Sequence, residues 1–264
     1  MARNYSNKTI LVTGASSGIG EALVRKLACD PCTIFIGARS TDKLLSLKKE
    51  METDEVTVHV LSMDLADSES LKSAFKQLSE KTNHLDLLIN NGGISQRGFA
   101  KDTDFSVVDR IMQVNFLGTV EWTTHCMKLL QKNGDGHIIA ISSVVGEYGF
   151  PLRSAYAASK HALKGYFQSM QLEPDSPSVS IVSPGRITTN ISINALTSEG
   201  KKHGEMDAGQ AGGISAEKAA EKILKGAAKR KNNIFIGSGE IVLLYISRYI
   251  PPLYRKIARN ISSK

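Results

Sequence analysis

Tyr156 and Lys160 stand four residues apart in Tyr156-Ala157-Ala158-Ser159-Lys160, and Ser143 lies thirteen positions before the tyrosine. A four-residue spacing puts a phenol and an ammonium on one face of a helix. There the ammonium can lower a phenol pKa of about 10 toward neutrality by stabilising the phenolate. A serine hydroxyl brought up from the preceding segment could hold a substrate oxygen. Together these are parts for moving a proton to or from a carbonyl or alcohol oxygen. The spacing alone is unspecific, because many solvent-facing helices carry it. A glycine-rich turn near the start of the chain gives it meaning.

That turn reads Thr13-Gly14-Ala15-Ser16-Ser17-Gly18-Ile19-Gly20, between an apolar run and a helical pattern. Glycines there let the backbone turn tightly and approach a pyrophosphate, and the helix N-terminus offers N–H groups and a positive dipole end. The spacing is G-x-x-x-G-x-G rather than the G-x-G-x-x-G of many dinucleotide sites. An isolated glycine cluster is a plain turn as readily as a phosphate cradle, and the strand–turn–helix context is what favours the cradle. At the end of the next apolar run stands Gly37-Ala38-Arg39-Ser40. It offers no carboxylate for a ribose 2′-hydroxyl, whereas Arg39 could pair with a 2′-phosphate. NADP(H) is therefore expected over NAD(H); the alternative is that Arg39 only starts a solvated helix. Asp64 in Met63-Asp64-Leu65 could accept from an adenine amino group while Leu65 packs on the ring, or Asp64 could cap a helix. Asn90-Asn91-Gly92-Gly93 either lets a cofactor lie across the sheet or is a plain turn.

Apolar runs and helical patterns alternate along the chain. The runs at 9–13, 33–37, 56–61, 85–89, 137–141, 179–182 and 233–236 read as strands. Helical patterns cover 18–28, 41–51, 68–81, much of 105–130, 154–172 and 216–229. This predicts an α/β fold, a mainly parallel seven-stranded sheet with helices on both faces, that binds ligands beyond the carboxyl ends of its strands. Residues 1–264 read as one domain. Within it, 190–213 is a long Gly/Ser/Asn-rich stretch of the kind that often forms a substrate loop.

The 264 residues carry a net charge of +7, unevenly spread. From Glu217 onward there are eleven Lys/Arg and three acids; the rest of the chain holds 22 basic and 23 acidic residues. The basicity belongs to the tail, which argues against a general nucleic-acid surface. Residues 240–264 combine apolar and basic side chains, among them Arg248, Arg255, Lys256 and Arg259. Such a segment could lie on an anionic membrane, close the substrate pocket or form a subunit interface. No apolar run reaches the roughly 18 residues of a spanning helix, and Met1–Lys8 lacks a signal-peptide core. Three cysteines, with Cys29 and Cys32 in a C-x-x-C lacking a second ligand pair, suggest neither disulfides nor zinc. A reducing, cytoplasmic setting is expected, with contact at a membrane as an extension of it.

The glycine motif, Asp64, Asn90-Asn91-Gly92-Gly93, Asn115, Ser143, Tyr156, Lys160 and Pro184-Gly185 follow in order. In this the chain resembles the short-chain dehydrogenase/reductase family, closely over about residues 8–190. Gly92 stands where the family usually has alanine. Ser16-Ser17 stands where NADP-preferring relatives often carry a basic residue, which leaves Arg39 to discriminate largely alone. The resemblance implies a Rossmann-type doubly wound fold and a homo-oligomer, dimer or tetramer. It implies that Tyr156 is the acid in reduction and the base in oxidation, and that Lys160 lowers its pKa and binds the nicotinamide ribose. Ser143 would hold the substrate oxygen, and Asn115 would hold a water beside the lysine. Gly14, Ser16, Ser17, Gly18, Ile19, Gly20, Arg39, Asp64, Leu65, Asn91 and Gly92 would line the nucleotide. Pro184 and Gly185 would also line the cofactor, and the Ile187 backbone and Thr189 would meet the nicotinamide carboxamide. Hydride would pass directly between nicotinamide and carbon, so no metal is implied. The subgroup most resembled acts on lipophilic carbonyls and alcohols: steroids, retinoids or fatty-acyl ketones. A 3-oxoacyl thioester reductase and a non-catalytic NADP-binding regulatory module are the alternatives. Ile94, Val145, Tyr148 and Arg186 are the expected pocket walls, from their places after strand ends.

Overall fold

The computed structural model describes residues 5–207, 212–237 and 239–262. Strands and helices alternate as β1 (Lys8–Thr13), α1 (Gly18–Leu27), β2 (Cys32–Ala38), α2 (Thr41–Met51), β3 (Val56–Ser62), α3 (Ser68–Ser79) and β4 (Leu87–Asn90). Then come α4 (Phe105–Met112), α5 (Gly118–Gln131), β5 (His137–Ile141), α6 (Ser154–Met170) and β6 (Ser178–Pro184). The chain closes with two short strands, β7 (Ile187–Thr188) and β8 (Ile214–Ser215), then α7 (Ala216–Ala227), β9 (Asn233–Ile236), α8 (Gly239–Tyr249) and α9 (Pro251–Ser262).

Seven strands pair in parallel in the order β3-β2-β1-β4-β5-β6-β9. Side chains alternate across each strand, so the sheet needs a core on each face. Ile10 and Val12 join one core with Leu23 and Leu27 of α1, Leu44 of α2 and Ile223 of α7. Leu11 joins the other with Leu71 of α3, Trp122 of α5 and Phe167 of α6. This is the seven-stranded parallel sheet that the alternating pattern predicts, in the Rossmann-type doubly wound form that the resemblance implies. The chain runs from β1 outward to β3, then crosses back to place β4 beside β1. Strand order reverses there, and the carboxyl ends of β1 and β4 diverge into a crevice.

Two features differ from the expected elements. The helix over 105–130 is interrupted by a π turn at Gln113–Leu117 between α4 and α5. The 190–213 stretch is bracketed by β7 and β8, which pair Ile187 with Ile214 and Thr188 with Ser215. Leu196 in that stretch packs with Ile94 against Val107, Ile111 and Ala155, so the loop is seated on α4 and the start of α6.

Candidate active site

A cleft of about 700 Å³ runs across the carboxyl ends of β1, β4, β5 and β6. That volume lies within the usual range for cofactor and small-molecule sites. One end is shaped by glycines. Gly14 has φ +66°, and a Cβ there would lie 2.7 Å from Gly92 Cα. A Cβ on Gly20 would lie 2.3 Å from the Gly14 carbonyl oxygen. Thr13 and Asn91 lock the two turns together. Thr13 Oγ1 accepts from the backbone N–H groups of Asn91 and Gly92, each at 3.0 Å. Asn91 Nδ2 donates to the carbonyls of Thr13 and Gly14 at 3.0 and 3.2 Å. Ser17 precedes α1 without capping it through its side chain, which leaves first-turn N–H groups for an anionic ligand. Ser16, Ser17, Gly18 and Ile19 line this end. The close-packed glycine cradle and the open helix terminus fit a dinucleotide pyrophosphate.

Arg39 and Ser40 follow β2 and line the cleft, and so does Lys43 from the first turn of α2. The pattern on α2 hides Lys43, since a lysine there reads as an ordinary polar-face residue. Its position four after Arg39 was the available signal. Asp64 Oδ1 accepts from Ala66 N at 3.0 Å and its Oδ2 from Arg110 Nη2 at 3.2 Å. Asp64 does not cap α3; Asp67 does, accepting from Glu69 N at 3.1 Å. Leu65 and Gly92 also line this part of the cleft.

The chemical end is built by β5 and α6. Ser143 follows β5, its hydroxyl donating to Pro184 O at 3.4 Å. Tyr156 and Lys160 lie one turn apart on α6, and Ser143, Tyr156 and Lys160 all line the cleft. Lys160 Nζ donates to Ile141 O at 2.8 Å and sits 6.0 Å from the centre of the Tyr156 ring. Burial brings its pKa down to about 8. Tyr156 behaves differently from the sequence expectation. Its phenol is raised above the ordinary value by burial, against which a hydrogen bond with Ser143 and the charge of Arg153 act downward. The cation that lowers it is Arg153; Lys160 is turned to the β5 carbonyl instead. The Tyr156 side chain is only half-buried, and solvent in the cleft tempers the rise.

Asn115 lies in the π turn and is fully buried. Its Oδ1 accepts from Ile94 N at 2.8 Å, while Nδ2 donates to Ile94 O at 2.9 Å and Ser159 Oγ at 3.0 Å. It thus ties the loop after β4 to α6 between Tyr156 and Lys160. Pro184, Gly185, Ile187 and Thr189 line the cleft beyond β6, with Ile187 buried. Ile94 is a wall as expected, together with Val107, Ile191 and Leu196. Tyr148 and Arg186 serve elsewhere: the Tyr148 hydroxyl donates to Glu240 O at 3.1 Å, and Arg186 N donates to Glu240 Oε1 at 2.8 Å. Both hold α8 against the loops after β5 and β6, and Val145 is likewise outside the cleft lining. Cys32 and Cys126 are buried thiols, and Cys29 Sγ donates to Arg25 O at 3.4 Å.

Residues 8–200 match the family described as short chain dehydrogenase. A "Dehydrogenase/reductase SDR family protein 7-like" from Anopheles gambiae is 38% identical over 258 residues, covering 95% of this chain and 81% of that protein. A short chain dehydrogenase/reductase from Burkholderia phymatum, solved with NAD, superposes with a TM-score of 0.83 at 19% identity over 95% of this chain and 96% of its own. A short-chain dehydrogenase from Sphingobium yanoikuyae, solved with NADPH, gives 0.76 at 25% identity over 86% and 87%. With its glycine turn and its serine, tyrosine and lysine on one cleft, the chain belongs to the short-chain dehydrogenase/reductase family of NAD(P)-dependent oxidoreductases.

Proposed function

We propose that the chain interconverts a carbonyl and an alcohol on a lipophilic small molecule, a steroid, retinoid or fatty-acyl compound, with NADP(H) as partner. The observation that carries this is the meeting of Ser143, Tyr156 and Lys160 with the glycine turn in one cleft. A nicotinamide dinucleotide bound there supplies or accepts the hydride. Tyr156 gives its hydroxyl proton to the carbonyl oxygen in reduction and takes it back in oxidation. Its raised pKa keeps it protonated at neutral pH, the form a general acid needs. Ser143 donates to the same oxygen and stabilises charge developing on it. Lys160, held by Ile141, would bind the ribose hydroxyls of a bound nicotinamide, and Asn115 braces the loop and helix on either side of it. Arg39 and Lys43 would flank a 2′-phosphate, which supports NADP(H) over NAD(H). Ile94, Val107, Ile191 and Leu196 supply apolar walls for a lipophilic substrate. A 3-oxoacyl thioester would fit the same chemistry.

The test is consumption of NADPH and of NADH over a carbonyl panel by the wild type and by Tyr156→Phe. Turnover by the wild type should fall by roughly 10²- to 10⁴-fold in the variant while NADPH affinity is kept. Variant turnover near the wild-type rate would sink the mechanism. Tight NADPH binding with no turnover across the panel would favour a regulatory module.

The placement we propose is cytoplasmic, at an anionic membrane surface, for one domain spanning residues 1–264 that assembles as a homo-oligomer. Val242, Tyr245 and Tyr249 on α8, Ile250 between the helices and Leu253 on α9 are exposed, and Arg248, Arg255, Lys256 and Arg259 lie among them in sequence. Among the described residues no helix is long and apolar enough to cross a membrane. Exposed tyrosines and aliphatics beside arginines suit the headgroup region, where each basic residue adds roughly 1 kcal/mol. Vesicles with phosphatidylserine should sediment the wild type but not Tyr245→Ser/Tyr249→Ser, and purely zwitterionic vesicles should sediment neither. Light scattering of the same samples reads the oligomer.

A further inference from the structure

We propose that Arg153 and Asp207 are positioning residues for Tyr156: Asp207 clasps the 190–207 segment to Arg97 and Arg153, and Arg153 sets the turn of α6 that carries the phenol. This rests on Tyr156 acting as the acid/base described above.

Arg153 immediately precedes α6, at the end of the helix dipole that repels a cation. Its side chain is 13% exposed, so the guanidinium needs close partners. It has three. Nη1 donates to Ser95 Oγ and to Gln96 O, the latter at 2.8 Å, and Nη2 donates to Asp207 Oδ2. The other oxygen of Asp207 meets Arg97 Nη1 at 3.3 Å. Asp207 is itself 14% exposed. Among the described residues, both ion pairs that reach the 190–207 segment from elsewhere in the chain end on this one carboxylate.

The surroundings connect the clasp to the chemistry. Gln96 is fully buried, and its Oε1 accepts from Ala155 N, a first-turn N–H of α6, at 2.7 Å. Arg97 N donates to Leu196 O at 2.7 Å, and Leu196 N donates to Ser95 O at 2.9 Å. Residues 95–97 are therefore a strap with the cleft wall at Leu196 on one side and the start of α6 on the other. Arg153 lies three residues before Tyr156, about one helical turn. The charged and titratable groups facing Tyr156 are Arg153, just before α6, and Lys160 of α6, with the Ser143 hydroxyl from the end of β5. Those facing Arg153 are Asp207, Arg97 and Tyr156 itself.

Arg153 acts downward on the phenol pKa, favouring phenolate, and Asp207, paired with Arg153, acts against that cation. Removing Arg153 should move the acidic limb of alcohol oxidation, which reports deprotonation of Tyr156, to higher pH. Removing only the Asp207 charge should move it to lower pH. A role confined to folding would not split the two in sign.

The experiment uses the full chain as Arg153→Met, Arg153→Lys and Asp207→Asn. Wild type and Tyr156→Phe are run beside them, so that a failed mechanism shows first in those controls. The pH profile of kcat for alcohol oxidation and the affinity for NADPH are measured for each. Hydrogen exchange follows the amides of 194–202. The expected result is limbs displaced in opposite directions in Arg153→Met and Asp207→Asn. The wild-type limb should be restored in Arg153→Lys, and kcat/KM for the carbonyl should be at least tenfold lower in Asp207→Asn. NADPH affinity should stay within twofold of wild type, and exchange at 194–202 should be faster in both charge-removing variants. Limbs that do not move, or that move the same way, overturn the proposal, as does unchanged exchange. If Arg153→Met does not fold, the downward displacement in Asp207→Asn together with the exchange result decides.

Discussion

Lys160 Nζ donates to the Ile141 carbonyl oxygen at 2.8 Å, which fixes the lysine to the carboxyl end of β5 and leaves it 6.0 Å from the Tyr156 ring centre. Helix α6 and the central sheet are thus joined through the Lys160 ammonium itself. A second bond, from Ser142 Oγ to the Lys160 backbone carbonyl at 3.2 Å, repeats the connection.

That anchorage has a pH signature. Burial depresses Lys160 to about 8, so the ammonium is fully charged below that pH and is lost as pH rises through it. If Lys160 holds the nicotinamide ribose, NADPH affinity should weaken above pH 8. Calorimetric titration between pH 6.5 and 9.5 should show the decline in wild type and a flat, weaker profile in Lys160→Gln. A flat wild-type profile would remove Lys160 from cofactor binding.

Asn115 makes three hydrogen bonds with no exposed surface. In Asn115→Ala, the Ile94 N–H and carbonyl lose their partner, while the Ser159 hydroxyl loses one donor and keeps its bond to Tyr156 O. Leaving such groups unpaired costs about 1–3 kcal/mol each, with some recovered by entering water. The expected loss in urea unfolding is roughly 3 kcal/mol, alongside reduced turnover because Ile94 and α6 are no longer tied. A loss under about 1 kcal/mol would mean the brace is unimportant for stability.

Local pattern carried much of this fold and less of the site. The apolar run at 137–141 and the periodicity at 41–51 are strand and helix over those same residues, because each is decided by neighbours in sequence. The π turn at Asn115 left no trace, since one widened turn barely alters the spacing of apolar residues along the helix. Tyr148 and Arg186 follow strand ends, where cleft residues usually lie, but the Tyr148 hydroxyl and the Arg186 backbone N–H both bond to Glu240 of α8. Lys43 lies on the polar face of α2, where a lysine carries no signal of its own. The Arg153–Asp207 pair spans 54 residues and had no motif to mark it. What escaped the sequence is long-range or subtle in backbone geometry; what was legible is periodic or a compact motif.

The pairing of Lys43 with Arg39 beside the end of β2 bears on cofactor choice. Both are solvent-facing, so each contributes modestly to a bound phosphate. Arg39→Ser and Lys43→Ser should each raise the dissociation constant for NADPH by roughly three- to tenfold. NADH affinity should stay within about twofold of wild type, since no 2′-phosphate is present to lose a partner. Equal effects on both cofactors would show that these cations do not read the phosphate.

His137 begins β5 and is buried, its ring Nε2 lying 2.9 Å from Ser180 Oγ. The Ser180 hydroxyl donates to Lys231 O at 2.7 Å, so the histidine is the donor in the first bond and carries its proton on Nε2. Burial, with the nearby charge of Arg230, pulls its pKa down to about 4. In the unfolded chain a histidine titrates near 6.5. Between those values the unfolded state binds the extra proton, so stability is full above pH 6.5 and declines as pH falls toward 4. Over that window the loss attributable to this one ring is about 3 kcal/mol. Urea unfolding at pH 7 and pH 4 should show wild type losing that much more than His137→Gln, in which no ring remains to protonate. Equal losses in the two proteins would mean that His137 is already protonated in the folded state near pH 6.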